Sequence, residues 1–146
     1  MSIPKPGVYQ KGEINLQQLF SSVLGEVSDG SCGAAAFFVG IVKRRGRGDV
    51  EVGNLFMESY QEHANRALER ICSEVKAEYG LVFVGVWHLL GMFDLGEAVV
   101  MAAAAGERRE EVFNGLRKAV ERYKREPALF KKEVYVDGSE TWIEGA

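Results

Sequence analysis

Apolar and polar positions alternate with changing period along this chain, and each change of period marks an element. From Ile14 to Val27, Leu16, Leu19, Phe20, Val23 and Leu24 recur at helical spacing, and the run ends near Gly30. Gly33 to Val42 is a continuous apolar run, too short to cross a membrane and bounded by glycine, which predicts a buried strand. Val50 to Tyr60 resumes strand character, with Leu55 and Met57 on one face and Phe56 on the other. Between Gln61 and Tyr79, Ala64, Ala67, Leu68, Ile71, Cys72, Val75 and Tyr79 form one stripe of an amphipathic helix that Gly80 ends.

Leu81 to Leu90 predicts a third strand, Gly91 to Gly96 a turn, and Glu97 to Ala105 a fourth strand. A further helix, Glu107 to about Glu126, buries Val112, Phe113, Leu116, Val120 and Tyr123. It stops at Pro127, which cannot continue the hydrogen-bond ladder. Phe130 to Val136 alternates as a strand, and Asp137 and Gly138 make a turn into a last strand from Thr141 to Glu144. The order α-β-β-α-β-β-α-β-β predicts an α+β fold, helices layered on a mostly antiparallel sheet. Residues 1–146 read as one domain, in which the polar segment Met1 to Gly12, with Pro4 and Pro6, is expected to be a flexible leader.

Composition narrows the function classes. With 47% apolar and 27% charged residues the chain is ordinary for a globular protein, and no segment predicts a signal peptide or a membrane helix. A net charge of −3 argues against general nucleic-acid affinity, so any anion site must be a local basic cluster. Cys32 and Cys72 form neither a CxxC pair nor a zinc spacing; a reducing, cytoplasmic setting without a metal is the expectation.

No phosphate loop, nucleophile elbow or metalloprotease motif is present, and His63 and His88 read as structural. The chemistry left is cationic, in three places: the loop Lys43 to Arg47, the pair Arg108 and Arg109 at the start of the last helix, and Lys124 with Lys131 and Lys132 around Pro127. Backbone N–H groups at a helix start already favour an anion. Lys124 also reads simply as a good C-terminal helix charge, and the lysine pair as a solvated strand edge. The alternative is convergence on a pocket for a phosphate-bearing ligand, where a crowded, desolvated lysine acquires a lowered pKa and serves as acid, base or nucleophile.

Gly33 to Lys43, a small-residue strand ending in Gly-Ile-Val-Lys, followed by Leu55 to Tyr60, a strand ending in Glu-Ser-Tyr, resembles the large, catalytic subunit of molybdopterin synthase, whose corresponding strands end in Gly-x-Val-Arg and Glu-x-Tyr. Trp87 to Gly91 and Leu95 to Glu97 resemble its His-Arg-Ile-Gly and Gly-Glu stretches. Lys124 to Glu133 and Trp142 to Glu144 resemble its Lys-x-x-x-Pro-x-Trp-Lys-x-Glu ending and terminal Trp-Val-Glu. The resemblance spans Gly33 to Glu144. Lys43 stands for the family's arginine, Arg108 for its histidine and Phe130 for its tryptophan.

The resemblance implies an α/β-hammerhead type of fold and transfer of two sulfurs to cyclic pyranopterin monophosphate, forming the molybdopterin dithiolene without a cofactor. The sulfur would come from the C-terminal thiocarboxylate of a small ubiquitin-like carrier subunit. Two copies of this chain would form a homodimer at the centre of a heterotetramer. Lys124 and Lys131 match the two pocket lysines, one for proton transfer (Lys131 in the first assignment) and one for the substrate or acyl intermediate; the roles are exchangeable. Phe38, Lys43, Arg44, Arg108 and Arg109 are the implied substrate-binding residues. The competing expectation is a diverged, non-catalytic partner-binding domain of the same fold.

Overall fold

A computed structural model describes residues 2–143. Met1 and Glu144, the last residue of the expected final strand, lie outside them.

The elements follow in the order β1 (Gly7–Gln10), α1 (Leu16–Glu26), β2 (Ala34–Ile41), β3 (Val52–Ser59), α2 (Gln61–Tyr79), β4 (Phe83–Asp94), β5 (Ala98–Gly106), α3 (Arg109–Tyr123), β6 (Leu129–Tyr135) and β7 (Glu140–Ile143). The α+β expectation holds. Six strands form the path β2-β5-β4-β3-β6-β7, antiparallel at every step, and β1 joins β4 in parallel.

The long strand β4 joins two halves of this sheet. Phe83 to His88 pair with β5, whereas Gly91 to Asp94 pair with β3. Gly91, at φ 124°, takes a conformation open to glycine, and the strand continues through the stretch the sequence pattern predicts as a turn. Helices α2 and α3 cover one face. Leu68, Ile71 and Val75 of α2, with Val112 and Ala119 of α3, close over Val84, Val86, Ala102 and Ala104. Opposite, Leu19 and Val23 of α1 pack on Trp87, Met101 and Ala103. Trp87 is fully buried with its indole over Gly85, where a Cβ would collide with the ring, and Phe83 stacks beside it at 6.1 Å. Among the described residues no helix is long and apolar enough to cross a membrane.

The leader is a correction. Instead of a flexible arm, Gly7–Gln10 is a strand with Val8 in the core. Asn65 Oδ1 on α2 accepts the Val8 N–H at 2.7 Å, and the Pro4 carbonyl accepts the Trp87 indole N–H at 2.9 Å. Two prolines and sparse apolar residues hide a strand whose partners are 57 and more residues away.

Candidate active site

The chain places its key cations at the ends of elements. Lys43 lies two residues beyond β2, Lys124 caps α3, and Lys131 stands on β6 between Met57 of β3 and Ile143 of β7. Pro127 ends the helical course, and the chain turns back so that β6 starts within five residues of the cap. Lys131 is half-buried. Burial lowers its pKa most, the like charges of Lys124 and Lys43 lower it further, and the Glu133 carboxylate opposes them. Lys43 and Lys124, from two other parts of the chain, thus lie close enough to Lys131 for their charges to act on it. None of them forms an ion pair among the described residues. Such a local excess of positive charge on an acidic body, offset only in part by Glu133, is suited to an anion.

Aromatic groups line the same place. Phe38 of β2 lies 6.4 Å from Tyr123, the last residue of α3, and the Lys124 ammonium stands 6.0 Å from the Tyr123 ring. His88 of β4 meets Tyr123 edge-on at 5.9 Å. Burial pushes the His88 pKa down to about 4, and Lys131 and Lys124 add to that shift against a 2.9 Å contact with the Leu89 carbonyl. The imidazole is therefore neutral near pH 7, its Nδ1 proton donated to that carbonyl.

The loop carrying Lys43 is held by a residue that sequence reading passed over. Buried Glu133 Oε1 accepts the Arg47 backbone N–H at 3.0 Å and the Tyr135 hydroxyl at 2.9 Å. Gly46 permits this, since a Cβ there would stand 2.8 Å from the same oxygen. The Lys-x-Glu alternation, which puts Lys131 and Glu133 on one strand face, was the available signal.

Other cations part from this group. Lys132, on the opposite face of β6, lies over Phe56 at 5.4 Å and Trp142 at 5.3 Å and pairs with Glu140 at 3.4 Å. Arg44 is exposed and pairs with Glu51 at 3.5 Å. Arg108 and Arg109 are exposed at the start of α3, a 15-residue helix, so about 22 Å of helix separates them from Lys124. Within one chain they do not join the lysines. Cys72 is buried with its thiol pushed up to about 12, too high for a nucleophile at neutral pH.

A cleft of about 460 Å³ opens beside Lys124, with Arg125, Pro127, Phe130, Trp142 and Ile143 on its walls. Lys131 and Lys43 are not part of that wall, so Lys124 is the residue common to the cleft and the lysine group.

The sequence profile of the MoaE protein family matches residues 9–126. The chain belongs to the MoaE family. Relatives of this MoaE chain include molybdopterin synthase catalytic subunits from Pyrococcus abyssi, 32% identical over 119 residues (82% of this chain, 79% of the relative), and from Culex quinquefasciatus, 34% identical over 113 residues (77% and 71%). The crystal structure of molybdopterin synthase from Staphylococcus aureus has the same fold, with a TM-score of 0.84 at 21% identity over 97% of this chain and 98% of that one. A Helicobacter pylori complex of subunits 1 and 2 of molybdopterin-converting factor also matches, with a TM-score of 0.76 at 18% identity over 94% and 89% of the chains.

Proposed function

We propose that this chain is the catalytic subunit of a molybdopterin synthase of molybdenum cofactor biosynthesis. It would transfer two sulfurs, delivered as the C-terminal thiocarboxylate of a small ubiquitin-like carrier subunit, to cyclic pyranopterin monophosphate in the cytoplasm. What supports this reading is that Lys43 and Lys124 act electrostatically on half-buried Lys131, while Phe38 and Lys124 both lie near Tyr123.

Each group has a task. Lys43 and Lys124 bind the cyclic phosphate, and Phe38 offers the pterin an apolar wall. Each carbon–sulfur bond forms as the thiocarboxylate sulfur displaces an oxygen substituent from the substrate carbon, which leaves the carrier's acyl group on sulfur as a thioester. Water then cleaves that thioester to the carrier's carboxylate and the product's sulfur, and each step needs a proton moved. Lys131, with its lowered pKa, gives and takes that proton, while Lys124 at the mouth of the cleft meets the arriving carrier tail. No resident cofactor takes part in this scheme. For Arg108 and Arg109 to hold the same substrate they must come from a second copy, which favours the homodimer implied by the family resemblance.

Calorimetric titration with cyclic pyranopterin monophosphate tests the site. Binding should weaken roughly 10- to 100-fold in Lys124→Ala or Lys43→Ala, as for the loss of a charge-assisted hydrogen bond, and stay unchanged in Lys132→Ala. Absence of binding by the native chain, or equal losses in all three variants, contradicts the assignment.

A further inference from the structure

Tyr123 enters the sequence pattern only as one apolar-stripe residue of α3, yet its surroundings are those of a ligand-binding group. The side chain is 2% exposed. Its hydroxyl makes no hydrogen bond among the described residues, and burial alone raises its pKa, to about 12. A buried tyrosine ordinarily finds a partner for its hydroxyl, because an unmet one is less stable than the bare ring of phenylalanine. Among the described residues the unpaired side-chain oxygens that are wholly enclosed are those of Ser59 and Glu111, so the Tyr123 hydroxyl keeps an opening to solvent.

The groups around the ring and its hydroxyl are those of the lysine site. The hydroxyl ends beside Gly40, 3.8 Å from where a Cβ would stand, and Phe38 borders the same point at 3.7 Å. His88 supports the ring from the side and is neutral near pH 7, while Lys124 stands over the ring. A protonated phenol here is a neutral donor set between an aromatic wall and a cationic end. The cations recognise phosphate; the phenol suits a carbonyl or ring-nitrogen acceptor of a heterocycle carried by that phosphate.

We propose that the Tyr123 hydroxyl contacts the substrate directly, donating a hydrogen bond to an acceptor on its pterin ring, and so sets preference for a heterocycle-bearing cyclic phosphate over a plain one. This assignment rests on the function proposed above. It makes Tyr123 a specificity residue, with no part in proton transfer.

The experiment compares the native chain with Tyr123→Phe, which removes one oxygen and keeps the ring. Steady-state turnover of cyclic pyranopterin monophosphate with thiocarboxylated carrier should show KM raised about fivefold, as for one neutral hydrogen bond, with kcat within about twofold. Thermal melting should show a midpoint equal to or above the native one, because the hydroxyl has no partner within the protein. Binding of a simple cyclic phosphodiester without a pterin, followed by calorimetry, should be unchanged. An unchanged KM, or a lowered melting point with loss of affinity for both ligands, overturns the assignment and leaves the proposed function standing. A native chain that neither binds nor converts the pterin substrate overturns the function, and this inference with it.

Discussion

Arg109 and Lys124 stand at opposite ends of α3, one as its first residue and the other as its C-terminal cap, about 22 Å apart along the helix axis. They cannot meet one small substrate within a single chain. If both serve the reaction, each site is shared between two copies. Arg109→Ala and Lys131→Ala chains, each inactive alone, should then regain about a quarter of native activity when refolded together in equal amounts, because half the dimers carry one intact site of two. An inactive mixture that nonetheless forms mixed dimers would remove Arg109 from the site.

Lys131 has a lowered pKa from burial and from its like-charged neighbours. Removing one of those charges without touching Lys131 should let its pKa rise toward the ordinary lysine value. In the pH–rate profile, the limb set by Lys131 should move to higher pH in Lys43→Met. An unmoved limb, or one moved downward, excludes the coupling.

His88 is held neutral by burial, with a pKa of about 4 against 6.5 for a free imidazole. Between those values the unfolded chain binds a proton that the folded chain refuses. Stability should therefore fall as the pH drops from about 6.5 to about 4, by up to about 3 kcal/mol from this group, and change no further below that. Urea unfolding across pH 4–7 should show a shallower acid loss in His88→Gln than in the native chain. Parallel curves refute the assignment.

Glu133 ties the Lys43 loop to β6 through the Arg47 amide. Glu133→Ala should destabilise the fold by about 1–3 kcal/mol, as expected when buried donors lose their acceptor. Amide exchange at Arg47 should quicken. Native exchange at Arg47 in the variant would show that the loop is held by other contacts.

Much of the fold was legible because its helices and inner strands follow simple periods. The α2 stripe from Ala64 to Val75 is buried as expected, and its limits are those set by Gln61 and Gly80. Where pattern reading failed, distant partners decided the structure. β1 exists through β4 and Asn65, and β4 outruns its predicted end because Gly91 bends without breaking pairing. The lysine site was legible in part. Lys124 and Lys131 are brought together by the chain reversal after Pro127, and Lys43 reaches them from the end of β2, whereas the separation of Arg109 from them follows from helix length once the helix is recognised. Tyr123 and Glu133 were hidden, since an apolar stripe conceals which member carries an unmet hydroxyl and a strand of alternating charge conceals which carboxylate turns inward.

The most direct test of the central claim is single-turnover conversion of cyclic pyranopterin monophosphate to the dithiolene, using a thiocarboxylated small subunit, by the native chain and by Lys131→Ala. The native chain should form product, and the variant should lose at least about 100-fold in rate, the scale of a removed general acid–base group. Tight binding of the small subunit with no product from the native chain would contradict the central claim and identify a partner-binding relative that has lost the chemistry.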